Sequence, residues 1–126
     1  MINKKNKIYV AGHTGLVGSA IVRVLKKRGY NNLLLVKRNK LNLTNQKEVI
    51  FFLRKHKPKF IFIAAAKVGG IYSNKNFKAD FIYQNLQIQN NLIHGSYLAG
   101  IKNLIFLGSS CVYPKNCKQP IKEEYL

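Results

Sequence analysis

Three glycines within seven residues carry the first chemistry in this chain. Gly12-His13-Thr14-Gly15-Leu16-Val17-Gly18 follows the apolar run Ile8 to Ala11 and precedes a stretch with helical periodicity. Each glycine has a physical task. Gly12 lets the chain turn sharply off a strand. Gly15 lets the backbone approach a phosphate with no Cβ in the way. Gly18 lets the next helix pack closely on a sheet. The free N–H groups of that helix then face an anion. A glycine pattern alone is weak, but a strand before it and a helix after it supply the context it needs.

A second group stands at Val36-Lys37-Arg38-Asn39. In folds that bind dinucleotides, an acidic residue about 20 positions beyond the glycines holds a ribose 2′-hydroxyl. Here that place falls near Arg38, and residues 1 to 47 contain no Asp or Glu. A guanidinium suits a 2′-phosphate, so the residues favour NADP(H) over NAD. A third group is Gly108-Ser109-Ser110-Cys111, where hydroxyls and a thiol could donate hydrogen bonds or protons to a carbonyl. Lys67-Val68-Gly69-Gly70 reads as a glycine turn or a ligand wall. His13, His56 and His94 lack metal-ligand spacing, so no metal site is expected.

The elements that must position these groups alternate. Strands are expected at 8–11, 33–36, 60–66 and 104–107. The run 60–66 is continuously apolar, as in a sheet covered on both faces. A helix over 15–28 places Val17, Ala20, Ile21, Val24 and Leu25 on one face and stops at Gly29. A helix over about 45–56, with Thr44 as its N-cap, buries Val49, Ile50 and Leu53, and Pro58 lies beyond it. A longer helix over about 79–98 carries a loose stripe of Phe81, Ile82, Leu86, Ile93 and Leu98. From Tyr113 onward, Pro114 and Pro120 mark a loop. The order β-α-β-α-β-α-β implies an α/β fold with a parallel sheet and right-handed crossovers. The expected architecture is a Rossmann-like doubly wound sheet, incomplete, with strand order 3-2-1-4.

Composition narrows the class. The chain has 126 residues, 47% of them hydrophobic, which excludes intrinsic disorder. Its 22 Lys+Arg against 4 Asp+Glu give a net charge of +18. Lysine dominates, and only Arg23, Arg28, Arg38 and Arg54 are arginines. The charge is spread along the chain without interleaved aromatics, which reads as compositional drift and non-specific adhesion to polyanions. No specific nucleic-acid partner is expected. No run approaches the length of a membrane span, and no signal peptide is read at the N-terminus. Cys111 and Cys117 are expected as reduced thiols in a cytoplasmic protein.

Longer strings add a resemblance. AGHTGLVGSAI at 11–21, LNL at 41–43, AAAKVGGI at 64–71, ADFIYQN at 79–85 and LGSSCVYPK at 107–115 resemble the extended short-chain dehydrogenase/reductase family. The match runs almost from end to end. It is best with that family's bifunctional epimerase-reductases of GDP-sugars. The resemblance implies 3,5-epimerisation of GDP-4-keto-6-deoxy-D-mannose and NADPH-dependent reduction at C4, giving GDP-L-fucose. It implies that Ser109 hydrogen-bonds the keto oxygen and that Cys111 is the epimerisation acid/base. It places NADP(H) against Gly12, His13, Thr14, Gly15, Leu16, Val17 and Gly18. Arg38 is then the 2′-phosphate ligand, followed around the adenine by Asn39, Lys40, Leu41, Asn42 and Leu43. Leu107, Gly108, Ser109 and Ser110 line the nicotinamide side.

Two departures follow. Asn39 and Lys40 stand where the family often has acidic residues. The family's Tyr-x-x-x-Lys pair is missing: no Tyr here is followed four residues later by Lys. Residues 1–126 are therefore expected to be the N-terminal part of an NADP-binding domain, without the substrate domain. Such a chain is expected to be inactive as a reductase alone, to hold NADPH weakly if at all, and to self-associate. The full-length enzyme is expected to take a GDP-sugar and to form a homodimer. Two other readings remain open here: another NAD(P)-dependent sugar-nucleotide epimerase or dehydratase, and a non-catalytic nucleotide-binding module.

Overall fold

The computed structural model describes residues 3–126. Four parallel strands form one sheet: β1 (Ile8–Ala11), β2 (Leu33–Leu34), β3 (Phe60–Ile63) and β4 (Asn103–Phe106). Four helices connect them: α1 (Leu16–Lys27), α2 (Gln46–His56), α3 (Ile71–Asn76) and α4 (Lys78–Leu98).

The sheet order is β2-β1-β3-β4. This corrects the expected 3-2-1-4 numbering of the strands. The reason is strand length. β2 offers only two ladder residues, Leu33 and Leu34, and both pair with β1. The chain after it leaves the sheet, and Leu41 and Leu43 turn into the core instead of forming an outer strand. The four-residue β3 finds a full-length partner only on the other side of β1, from Ile8↔Phe60 to Ala11↔Ile63. The alternation of strand and helix, the parallel pairing and the doubly wound character stand as expected.

The reversal at β1 distributes the helices. With right-handed crossovers, a step from β1 to β2 puts its helix over one face, and the steps toward β3 and β4 put theirs over the other. The core divides accordingly. Ile8, Val10 and Leu25 cluster on the α1 face, with Phe60 and Phe62 packed against them. Tyr9, Ala11, Ile61 and Ile63 meet Val49, Phe52, Leu53 and Leu92 on the α2 and α4 face.

Several local boundaries differ from the sequence reading. β2 and β3 end earlier than expected, and β4 starts one residue sooner. The N-cap of α2 is Asn45, not Thr44: its side chain accepts from the Glu48 N–H, while Glu48 Oε1 accepts from Asn45 Nδ2 at 2.8 Å. The pair differs from a capping box, because Glu48 takes the side-chain amide of Asn45 while the Asn45 N–H donates to Asn42 O at 3.0 Å. Thr44 donates instead to Asn42 Oδ1. A short helix, α3, precedes α4, where the sequence reading placed no element. Ile50 is only half-buried, and Phe52 takes its place in the core. On α1, Val17 and Val24 are exposed.

The expected stripe on α4 is also corrected. Ile82, Leu86, Ile93 and Leu98 are exposed, while Asn91, Leu92, Gly95 and Ser96 are buried. Close packing explains the small residues. A Cβ on Gly95 would lie 3.1 Å from Leu53 Cδ1, so α4 approaches α2 with no side chain between them. The buried polar groups are satisfied: Asn91 Nδ2 donates to Leu43 O at 2.9 Å and Ser96 Oγ to Leu92 O at 2.6 Å.

Candidate functional site: a dinucleotide cleft

In open parallel sheets, ligands sit beyond the carboxyl ends of the strands where the winding reverses. Here that point lies between β1 and β3. A cavity of about 500 Å³ opens there. Its floor is the β1–α1 turn, from Gly12 to Val17. One wall is Val36, Lys37, Arg38 and the segment 41–44, and the other is Ala64 to Val68 with Gln84 and Ile88 of α4.

The turn is built by backbone packing that excludes side chains. Gly12 has φ +81°, and a Cβ there would lie 2.6 Å from Ala64 O. A Cβ on Gly18 would meet Gly12 O at 2.1 Å, so α1 presses directly on the turn. Gly15 differs: only Gly12 O lies near its missing Cβ, at 3.4 Å. That position faces open space and admits a close approach. Gly15 is also the N-cap of α1 and offers no side chain to its amides. The first turn contains no acidic residue. The positive end of the helix is thus left available to an anion.

The electrostatics agree. Lys37, Arg38 and Lys67 line the cavity, and no Asp or Glu does. His13 Nδ1 is buried and has no hydrogen-bond partner among the described residues. Burial, and secondarily the Lys37 ammonium, hold this imidazole below its ordinary pKa. An uncapped helix end, an orphaned ring nitrogen and three cations around one cavity suit a phosphate-bearing ligand.

The segment carrying Arg38 is tied down on both sides. Leu41 N–H donates to Lys37 O at 3.2 Å, which turns Leu41 into the core. Asn42 N–H donates to Glu48 Oε2 at 3.1 Å, and Asn91 holds Leu43 O. The N-cap pair of α2 and the buried face of α4 therefore fix the course of the chain that follows Arg38.

The structure gathers Gly12, His13, Thr14, Gly15, Leu16, Val17, Arg38, Leu41, Asn42 and Leu43 around this cavity. Gly18 lies buried beneath it, and Asn39 and Lys40 are exposed beside it. The post-β4 residues form a separate group. Leu107 N–H donates to Ile63 O at 3.2 Å, which keeps that strand end beside β3. Gly108, Ser109, Ser110 and Cys111 are exposed and do not line the cavity. Ser109 Oγ accepts from Cys111 N–H at 3.2 Å and starts a short 3-10 turn, Ser110–Val112. Both cysteines are free thiols. Among the described residues no group of three His, Cys, Asp or Glu could hold a metal ion. No described helix is long and apolar enough to cross a membrane.

Sequence reasoning named Val36 and Lys37 only as neighbours of Arg38 and passed over Thr44, Ala64, Ala65, Gln84 and Ile88 as cavity residues. One signal was present: Ala64-Ala65-Ala66 directly after β3 are small enough to let a ligand lie against the strand end. Gln84 and Ile88 are one helical turn apart, but only the packing of α4 shows which face of it is inward.

The comparisons agree with this geometry. The family model for "NAD dependent epimerase/dehydratase family" matches residues 8–126. Over its whole length the chain is 55% identical to GDP-L-fucose synthase 1 of Arabidopsis thaliana and covers 39% of that protein. It is 47% identical to the GDP-L-fucose synthase of Escherichia coli (strain K12), covering 97% of this chain and 38% of that one. Among solved structures, a Campylobacter jejuni GDP-mannoheptose C4 reductase with NADP bound superposes with a TM-score of 0.93 at 48% identity, covering 100% of this chain and 40% of that one. A GDP-L-fucose synthetase from Naegleria fowleri bound to NADP gives 0.84 at 28% identity, covering 99% and 37%. The chain thus spans about two-fifths of the length of the relatives it matches, and it belongs to the NAD dependent epimerase/dehydratase family.

Proposed function

We propose that this chain is the cofactor-binding part of a GDP-sugar epimerase-reductase: it holds NADP(H) for the conversion of GDP-4-keto-6-deoxy-D-mannose to GDP-L-fucose. The observation that carries the reading is the cavity at the β1/β3 reversal, closed by glycine backbone and edged by Arg38, in a chain 55% identical to a GDP-L-fucose synthase. The uncapped α1 and the Gly12–Gly18 turn would hold the pyrophosphate. Arg38 would take the 2′-phosphate, with Leu41, Asn42 and Leu43 beside the adenine. NADPH bound there supplies a hydride for the reduction at C4.

Ser109 and Cys111 are the proposed catalytic residues. Ser109 Oγ already accepts the Cys111 N–H. Its own O–H is therefore free to donate outward, the arrangement needed to polarise a keto oxygen. A polarised 4-keto group makes the protons at C3 and C5 acidic, and Cys111 is the acid/base assigned to move them. Leu107 and Gly108 bring this turn to the carboxyl end of the sheet, beside β3. The reaction would run in the cytoplasm, in a homodimer of the full-length enzyme.

A second reading has one observation in its favour. The 48% identity to a GDP-mannoheptose C4 reductase fits a 4-keto heptose as substrate equally well at the cofactor end. Comparing turnover of GDP-4-keto-6-deoxy-D-mannose with that of a GDP-4-keto-heptose distinguishes the two.

The cofactor claim is tested by calorimetric titration of the chain with NADPH and NADH. NADPH is expected to bind at least about tenfold more tightly, since a charge-assisted phosphate contact contributes roughly 1.5–3 kcal/mol. Arg38→Ala should erase that preference and leave NADH binding as it was. Equal binding of the two nucleotides, or an NADPH preference that survives Arg38→Ala, would sink the proposal.

A further inference from the structure

One wall of the cavity is held from outside the sheet by a single side chain. Ala64 begins this wall on the ladder, its N–H donating to Ala11 O at 3.0 Å. Past it the chain leaves the sheet, and residues 64–70 have no strand or helix assignment. There Lys67 N–H donates to Asn85 Oδ1 at 2.7 Å, and Asn85 Nδ2 donates to Lys67 O at 3.0 Å. One amide thus satisfies both backbone groups of one residue, as a neighbouring strand would. Asn85 follows Gln84 and precedes Ile88 by three, and both of these line the cavity.

The turn beyond is also fastened. Asn74 Nδ2 donates to Gly69 O at 2.8 Å and to Gly70 O at 3.2 Å. Gly69 lies so close to Phe81 that a Cβ would stand 2.8 Å from its Cζ. The Lys67 ammonium sits 5.1 Å from the centre of the Phe81 ring. Ala65 packs against the core, but among the described residues the Asn85 clamp makes the only hydrogen bonds to residues 65–68.

We infer that Asn85 is a positioning residue of the cleft, setting the course of Ala65–Val68 and bringing Lys67 into its wall. The inference rests on the cofactor reading above. Arg38 occupies one edge of the cavity and the glycine turn its floor. The β3 wall around Lys67 is then left to the half of the dinucleotide farthest from the 2′-phosphate. Only an amide suits the task, because it places one donor and one acceptor side by side. Asp would keep the acceptor for Lys67 N–H and lose the donor. Leu would lose both at similar volume.

The test compares two probes on the full chain and on its Asn85→Leu and Asn85→Asp variants: NADPH, and 2′,5′-ADP, which lacks the nicotinamide half. Asn85→Leu should weaken NADPH by about tenfold, the scale of losing one or two hydrogen bonds, and leave 2′,5′-ADP within about twofold. Asn85→Asp should fall between it and the unmodified chain. Amide hydrogen exchange should speed up at Lys67 and stay slow at Ile63. Parallel losses for both ligands would reveal a general structural role and overturn the inference, as would an unchanged NADPH affinity. Should Asn85→Leu not fold, Asn85→Asp carries the same comparison. A chain that binds NADPH no more tightly than NADH before mutation refutes the cofactor reading itself, and the positioning role with it.

Discussion

The β1–α1 corner and the turn after β4 stand at the same end of one sheet, yet they are built differently. The corner is backbone pressed on backbone: Gly12 against Ala64, Gly18 against Gly12. The post-β4 turn is exposed and held mainly by its own local bonds, Ser109 Oγ to Cys111 N–H among them. The same contrast runs through the strands. β1 is fully buried, whereas Ile105 and Phe106 of β4 are exposed. A corner made of close backbone contacts carries its geometry within itself. A turn made of exposed side chains takes its geometry from whatever covers it.

The contrast breaks first at the glycines. Gly18→Ala puts a methyl 2.1 Å from Gly12 O, with only backbone to give way. It should cost more than about 3 kcal/mol in urea unfolding and abolish nucleotide binding. Gly108 has nothing within 4 Å of its missing Cβ, and Gly108→Ala should change stability by less than about 0.5 kcal/mol.

The cores give the next largest effect. Leu53 is fully buried between α2 and α4, and Leu53→Ala should cost about 2–5 kcal/mol. Ile105 is 52% exposed, so Ile105→Ala should cost less than about 1 kcal/mol. Equal losses at the two sites would mean that β4 is covered in solution.

Acid gives a smaller change with a defined sign. Burial lowers the pKa of His13 and His56, with Lys37 adding at the first and Lys55 and Lys7 at the second. The unfolded chain therefore takes up these protons first, near pH 6.5. The stability is fully present above that pH and declines as pH falls toward the lowered folded values. Urea midpoints at pH 7.5 and pH 5 check this, and His13→Asn should flatten part of the slope. Ser109→Ala is expected to cost no more than about 1 kcal/mol in stability because it removes one exposed bond. Its loss should appear in catalysis instead.

Much of this was legible in the residues, and the failures have physical reasons. The strand–glycine–helix succession places the corner, since the glycine spacing and the apolar run Ile8–Ala11 are local signals. Arg38 is legible for the same reason: it lies a fixed distance past the glycines. The strand order was not, because two residues of β2 against four of β3 settle which edge of β1 is taken. The buried face of α4 was not legible either. Hydrophobicity points to Ile82, Leu86 and Ile93, while the core takes Gly95 and Ser96, which let α2 come near. Asn85 looks like any helix asparagine until Lys67 is seen beside it.

The sequence by itself determined the α/β class, the glycine turn between β1 and α1, the cation at the edge of the cleft and the family strings. These depend on neighbours along the chain and on glycine's missing Cβ. Tertiary structure alone decided the β2-β1-β3-β4 order, the face that α4 buries, and the partners that hold the segment after Arg38 and fasten Lys67. Those are contacts between distant segments, such as Asn91 with Leu43, 48 residues apart. They form because every buried N–H and C=O needs a partner, and local sequence does not say where it will be found.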